Sequence, residues 1–294
     1  MRKGWLGVVR ARLVVAFAGV VVAAIMLPGG ASAATGSSYV ALGDSYTSGP
    51  GILPISSTAP LDCLQSAANY PHLTAQHFGF ALTDVSCAGA TSDNMTTWQY
   101  LDQPPQFDAL SSSTSVVTLG IGGNDNGLFA TALISCGLLD LGNVFDLGSP
   151  CAWLYGNTFA NSIASDASTV AGVIHGIHAR SPHAKVFVVG YPDILPQSGR
   201  CYPTMPLTTG DTAYLNTIER QLNAMLSTQA AANGAVFVDT FSSSIGHDAC
   251  KSASTRWVEP IIATNGGISV HPNGTGEAKT AGRVETVMAA NGVS

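Results

Sequence analysis

Charge is scarce in this chain. Its 294 residues carry 12 Lys+Arg against 18 Asp+Glu, a formal net charge of -6. So few basic residues exclude nucleic acid and anionic membrane surfaces as natural partners. After Leu27 there is no apolar run long enough to span a bilayer. There is no C-x-x-C pair, no H-E-x-x-H, no EF-hand pattern and no phosphate loop, and Gly120-Ile121-Gly122-Gly123 lacks the full G-x-G-x-x-G spacing. The expected chemistry therefore uses no metal and no cofactor. Internal repeats and an interdomain linker are also missing.

What is present begins with a leader. Arg2, Lys3, Arg10 and Arg12 precede an apolar run from Leu13 to Leu27, followed by Pro28-Gly29-Gly30 and the small-residue site Ala31-Ser32-Ala33. This order describes a secretory signal peptide over residues 1–33, cleaved after Ala33, and predicts a secreted, extracellular protein. Cleavage removes four of the 12 Lys+Arg and none of the 18 Asp+Glu, so the formal charge moves from -6 to -10. No stable membrane span is expected to remain. Residues 34–294, roughly 260, fit a single α/β domain.

Six cysteines fall in the exported part: Cys63, Cys87, Cys136, Cys151, Cys201 and Cys250. An even number in an oxidising compartment points to disulfides, but spacing alone does not choose their pairing.

Val40-Ala41-Leu42 followed by Gly43-Asp44-Ser45-Tyr46-Thr47-Ser48-Gly49 reads as a strand ending in a turn that presents one hydroxyl, and Ser45 is the candidate nucleophile. Further strands are expected over 81–86, 116–121, 185–190 and 235–239. Helices are expected to open at Asn69-Tyr70-Pro71 and to cover 160–179 and 208–233, with Gly234 as a stop. Residues 51–64 read as a loop, and 127–157, which lack a clear period, as an irregular excursion stapled by a disulfide. Apolar strands alternating with helices predict a mostly parallel sheet covered on both faces. Sites in such sheets gather at the carboxyl ends of strands, and Ser45, Gly89 and Asn124 each follow a different predicted strand.

A serine hydroxyl needs a base and an oxyanion site to act at neutral pH. Among seven histidines, His175 and His178 fit a helix surface. His271 precedes Pro272-Asn273, where Asn273 can cap a terminal helix and fix the backbone beside a base.

Gly43-Asp44-Ser45, Gly89, Gly123-Asn124-Asp125 and His271, in this order, resemble the four sequence blocks of the SGNH hydrolases, the GDSL esterase/lipase family, and most nearly its secreted actinobacterial lipases and esterases. The resemblance runs from about Ser38 to the C-terminus. It implies a flavodoxin-like three-layer sandwich, an acyl-enzyme on Ser45 with His271 as base, and an oxyanion hole from the N–H groups of Ser45 and Gly89 and the side-chain amide of Asn124. It also implies sequential disulfides, Cys63 with Cys87, Cys136 with Cys151 and Cys201 with Cys250. Asp44 is expected to fix the turn rather than to react.

One position departs from the family pattern. Many members have an aspartate three residues before the histidine, and here that residue is Ile268. The expected orienting group is a main-chain carbonyl, of Ile268 or Ser269, with Asp239 or Glu259 as remote carboxylate alternatives. The function expected is a lipase or carboxylesterase acting as a monomer on an ester or lipid. A sugar-ester deacetylase, a transacylase and a non-catalytic secreted binding protein remain open, whereas an α/β-hydrolase elbow is disfavoured because the second glycine of G-x-S-x-G is missing. Acyl-pocket walls are expected from 50–64, from 127–157 and from the loop around Cys201. Leu128, Phe129, Leu133, Leu138, Leu139, Leu141, Val144 and Phe145 either line that pocket for a medium or long chain or pack on the core.

Overall fold

A computed structural model describes residues 36–294. The leader and its cleavage site lie outside the described residues. Five strands, β1 (Ser38–Gly43), β2 (Ala81–Asp84), β3 (Val116–Gly120), β4 (Lys185–Val189) and β5 (Val236–Val238), form one all-parallel sheet in the order β2-β1-β3-β4-β5. The helices are α1 (Ser45–Ser48), α2 (Tyr70–Phe78), α3 (Leu128–Ala130), α4 (Cys136–Asp140), α5 (Pro150–Tyr155), α6 (Thr158–Arg180), α7 (Thr209–Ala232), α8 (Phe241–Ser244) and α9 (Gly274–Ala290).

Alternation along the strands makes the three layers. Val40, Leu42, Val117, Leu119, Val186 and Val188 point to one face and pack with Val170, Ile174 and Ile177 of α6 and Leu222 and Leu226 of α7. Tyr39, Ala41, Val116, Phe187 and Val189 point to the other, against Tyr70 and Ala75 of α2 and Ala281, Val284 and Met288 of α9. Because both faces are buried, the period of two is hidden in continuous apolar strands.

Helix ends follow local chemistry. Asn69 accepts from His72 N at the start of α2, Thr208 from Asp211 N at the start of α7, and Asn273 from Thr275 N and Gly276 N at the start of α9. The structure bonds Cys63 to Cys87, Cys136 to Cys151 and Cys201 to Cys250. Among the described residues no helix is long and apolar enough to cross a membrane.

The 127–157 region differs from the expected irregular excursion. It is largely helical: α3, a π-helical stretch over Thr131–Ser135 and α4 run on from one another, and α5 follows after a loop. Two features hid this helicity. The wide π turn shifts the repeat, and left-handed residues at Gly127, Asp146 and Gly148 break the segment into short pieces.

Candidate active site

Gly43 closes β1 where β2 has already ended, since the last β1–β2 pair is Ala41 with Asp84. Cys87 N–H still donates to Gly43 O (3.0 Å), and the side chain of Gln106 completes the pairing: Gly43 N–H donates to its Oε1 (2.8 Å), and its Nε2 donates to Gly43 O (2.9 Å). A Cβ on Gly43 would lie 2.3 Å from Thr47 Oγ1 and 2.7 Å from Gly120 O, so the turn closes tightly only around glycine. Asp44 then caps α1. Its Oδ1 accepts from Tyr46 N (2.9 Å) and its Oδ2 from Tyr191 OH (2.6 Å). Burial pushes the Asp44 carboxyl up to about 7 even though the bonds from Tyr191 and Tyr46 pull the other way.

The same tyrosine reaches the neighbouring turn. Gly123 N–H donates to Tyr191 OH (2.8 Å), which links the turn after β1 to the turn after β3. Asn124 Nδ2 donates to Ala90 O (3.1 Å), and Asp125 Oδ1 accepts from Ser92 N (2.7 Å), so the turn after β3 is tied to the segment after β2. Gly89 sits in that segment with φ +79, a left-handed conformation that disfavours any side chain. Among the described residues neither the Ser45 nor the Gly89 amide N–H is committed to another acceptor.

The C-terminal segment brings the histidine. His271 Nε2 lies 2.8 Å from Ser45 Oγ, and Nδ1 lies 2.8 Å from Ser269 O. The Ile268 carbonyl does not meet the ring; it accepts the His271 backbone N–H (3.2 Å). Tyr46 packs its ring 5.0 Å from the imidazole and donates to Val270 O (2.6 Å). Val270 adopts φ +59, strained for a β-branched residue at a cost of about 1–2 kcal/mol. The turn is held by backbone bonds from Val270 N to Glu259 O (3.0 Å) and from Glu259 N to His271 O (2.9 Å). Desolvation lowers the His271 pKa from 6.5, and the Ser269 carbonyl partly offsets this.

Neither remote carboxylate touches the imidazole among the described residues. Glu259 is fully buried and accepts from Arg256 Nε (3.1 Å) and Nη2 (2.9 Å), Asn273 Nδ2 (2.8 Å) and Thr264 N (2.8 Å). Burial raises its pKa, but the Arg256, Asn273 and backbone bonds outweigh burial and leave it below the ordinary glutamate value. Asp239 caps Ser242 N (2.9 Å). Glu259 thus supports the histidine turn through its backbone and through Asn273.

Ser45, Asn124 and His271 line a cleft of about 340 Å³ together with the apolar Phe129, Leu133, Ile134 and Ile261. The expectation for pocket walls needs correction. The 50–64 loop and the loop around Cys201 contribute no lining residue, and Gly89 lies beside the cleft rather than in its wall. Of the eight apolar residues considered, Phe129 and Leu133 line the cleft and Leu128 is core, while Leu138, Leu139, Leu141, Val144 and Phe145 are exposed. Long-range polar partners such as Gln106 and Tyr191 carry no local sequence signal. A tyrosine placed just after β4, at the carboxyl edge of the sheet, was the nearest hint. Among the described residues no group of three or more His, Cys, Asp or Glu is disposed to hold a metal.

Comparison with known proteins bears on the family and the fold. The sequence model of the GDSL-like lipase/acylhydrolase family matches residues 41–279. Lipase 2 of Streptomyces coelicolor is 42% identical over 256 residues, covering 85% of this chain and 85% of that protein. Phospholipase A1 from Streptomyces albidoflavus NA297 superposes with a TM-score of 0.71 at 30% identity, over 86% of this chain and 99% of that one. The extracellular lipase of Streptomyces rimosus gives a TM-score of 0.70 at 27% identity, over 85% and 99%.

Proposed function

Because the chain belongs to the GDSL-like lipase/acylhydrolase family, whose model spans residues 41–279, we propose that it hydrolyses acyl esters through a covalent intermediate on Ser45. Ser45 Oγ attacks the ester carbonyl carbon while its proton passes to His271 Nε2. The carbonyl π electrons move to oxygen, and the oxyanion is held by the N–H groups of Ser45 and Gly89 and by Asn124 Nδ2. Collapse breaks the bond to the alcohol oxygen, which takes the proton from His271. Water, deprotonated by the same imidazole, then releases the acid and restores Ser45. Fixed donors of this kind contribute about 10²–10³ in rate each.

The observation that carries this reading is the line Ser45 Oγ, His271 Nε2, His271 Nδ1, Ser269 O, with both contacts at 2.8 Å. The Ser269 carbonyl requires a proton on Nδ1, which leaves Nε2 as the base. A neutral carbonyl holds the tautomer but stabilises imidazolium less than a carboxylate does. The apolar walls favour a medium or long acyl chain over acetyl, since an acetyl group would leave Phe129, Leu133 and Ile134 without a partner.

Export completes the reading. Residues 1–33 act as a cleaved leader and 34–294 as one extracellular domain, consistent with three disulfides. One chain supplies every reacting group, so the monomer suffices. The test is turnover of p-nitrophenyl esters from acetate to palmitate beside Ser45→Ala. Turnover with an optimum beyond acetate, reduced to near background in the variant, is expected. A folded wild-type protein inert on the whole series would move a narrow deacetylase or a binding role to the front.

A further inference from the structure

The helical excursion beside the cleft is built inside out. Of the 20 large apolar residues exposed among the described residues, nine lie between Ile134 and Leu154. Phe145 is 81% exposed, Trp153 75%, Leu138 68% and Leu147 66%. A concentration of this kind marks an interaction surface rather than ordinary scatter.

The acidic groups of the segment and its neighbours are taken up by hydrogen bonds within the fold. Asp140 Oδ2 accepts from Thr208 N (2.8 Å), and Asp146 accepts from Thr209 N and Oγ1 (both 2.7 Å) and faces Arg200 Nε at 3.6 Å. Asp211 at the start of α7 caps Cys151 N (2.8 Å) and Ala152 N (2.9 Å). The Cys136–Cys151 bond closes the two helical pieces into one unit. Asp146 is exposed, but Arg200 matches its charge and donates to Asn143 O (3.1 Å) and Val144 O (2.9 Å), so the solvent face is apolar apart from one ion pair, and residues 127–157 contain no Lys or Arg.

We propose that this surface docks the enzyme onto a zwitterionic phospholipid bilayer and places the cleft mouth at the lipid boundary. Continuity selects this occupant. Ile134 belongs both to the exposed set, at 62%, and to the cleft wall, and Ile261, another wall residue, is 41% exposed. An acyl chain leaving the bilayer would thus meet apolar surface all the way to Ser45. Charge selects the headgroup: with a net charge of -10 after leader removal and the one cation of the patch, Arg200, paired with Asp146, anionic lipid repels the protein while a headgroup of zero net charge does not. Trp153 suits the interfacial layer, where an amphipathic ring is most stable.

The inference rests on the ester-hydrolase reading for its purpose, but docking can be measured without turnover. The experiment is co-sedimentation of the mature Ser45→Ala protein with phosphatidylcholine vesicles, with and without Phe145→Asp plus Leu147→Asp. Soluble p-nitrophenyl acetate turnover is measured for the same pair of charges in the Ser45 protein, together with its melting temperature. Binding to phosphatidylcholine that falls at least about tenfold with the two charges, while melting temperature and acetate turnover hold, is the expected result. Absence of binding, equal binding by the charged variant, or a dimer in gel filtration that the two charges dissociate would each overturn it, the last assigning the surface to a second copy. Vesicle binding by a Ser45 protein that hydrolyses no ester would keep the docking surface and remove the hydrolase reading.

Discussion

The two halves of the site are held in different ways. Ser45 stands on the end of a central strand, where Gln106, Asp44 and Tyr191 extend the sheet with side-chain bonds. His271 stands on a turn outside the sheet, held by backbone pairing to residue 259, by a left-handed Val270 and by a buried glutamate behind it. Ser45 inherits its position from the rigid layer, and His271 has to be positioned by a second network. Substitutions on the serine side should therefore divide sharply into reacting and scaffold groups, whereas among the groups that hold His271 in place, stability and rate should move together.

The largest expected effect breaks the base. His271→Ala should lower kcat by at least about 10³ with folding intact, while Asp239→Ala leaves kcat near wild type. An equal loss in Asp239→Ala would place a carboxylate in a full triad. Next, Asn124→Ala should cost about 10²–10³ in kcat with little change in KM, read by steady-state kinetics on a soluble ester. Glu259→Ala strands Arg256 in a buried site and should destabilise by about 3–5 kcal/mol in urea unfolding. The accompanying loss in kcat should be partly restored by Gln, which keeps an acceptor for Asn273. Asp44→Asn sharpens the contrast from the other side: it keeps an acceptor for Tyr191 and should lower kcat by less than about tenfold.

Acidity separates the halves further. Because desolvation lowers His271 from 6.5, the imidazole stays unprotonated under mildly acidic conditions, and the acid limb of kcat/KM should fall below that value if His271 is the proposed base. Asp44, pushed up to about 7, and Glu277, pushed up to about 8, bind protons in the folded state that the unfolded chain has already released. Their contribution to stability is therefore lost as pH rises from the ordinary carboxylate range through 7 and 8, and the melting temperature should be lower at pH 9 than at pH 5.

Much of this was legible in the residues. Val40 to Gly43 and Val116 to Gly120 announce buried strands because both sheet faces are covered, and Asn69, Thr208 and Asn273 announce helix starts because capping is local chemistry. Ser45, Asn124 and His271 could be named because turns at strand ends leave short, recognisable residue strings. The partners at long range could not. Tyr191 lies 147 residues from Asp44 and Gln106 lies 63 from Gly43, and no local pattern links them. The helices of 127–157 escaped because their apolar residues face both core and solvent, which erases the one-sided stripe that periodicity detects.

The most direct measurement of the central account is labelling by a fluorophosphonate, followed by intact and peptide mass spectrometry across pH. A single adduct on Ser45, formed at a rate that titrates with a pKa below 6.5 and abolished by His271→Ala, is the predicted result. An adduct on another serine, or labelling of Ser45 that His271→Ala leaves unchanged, would contradict it.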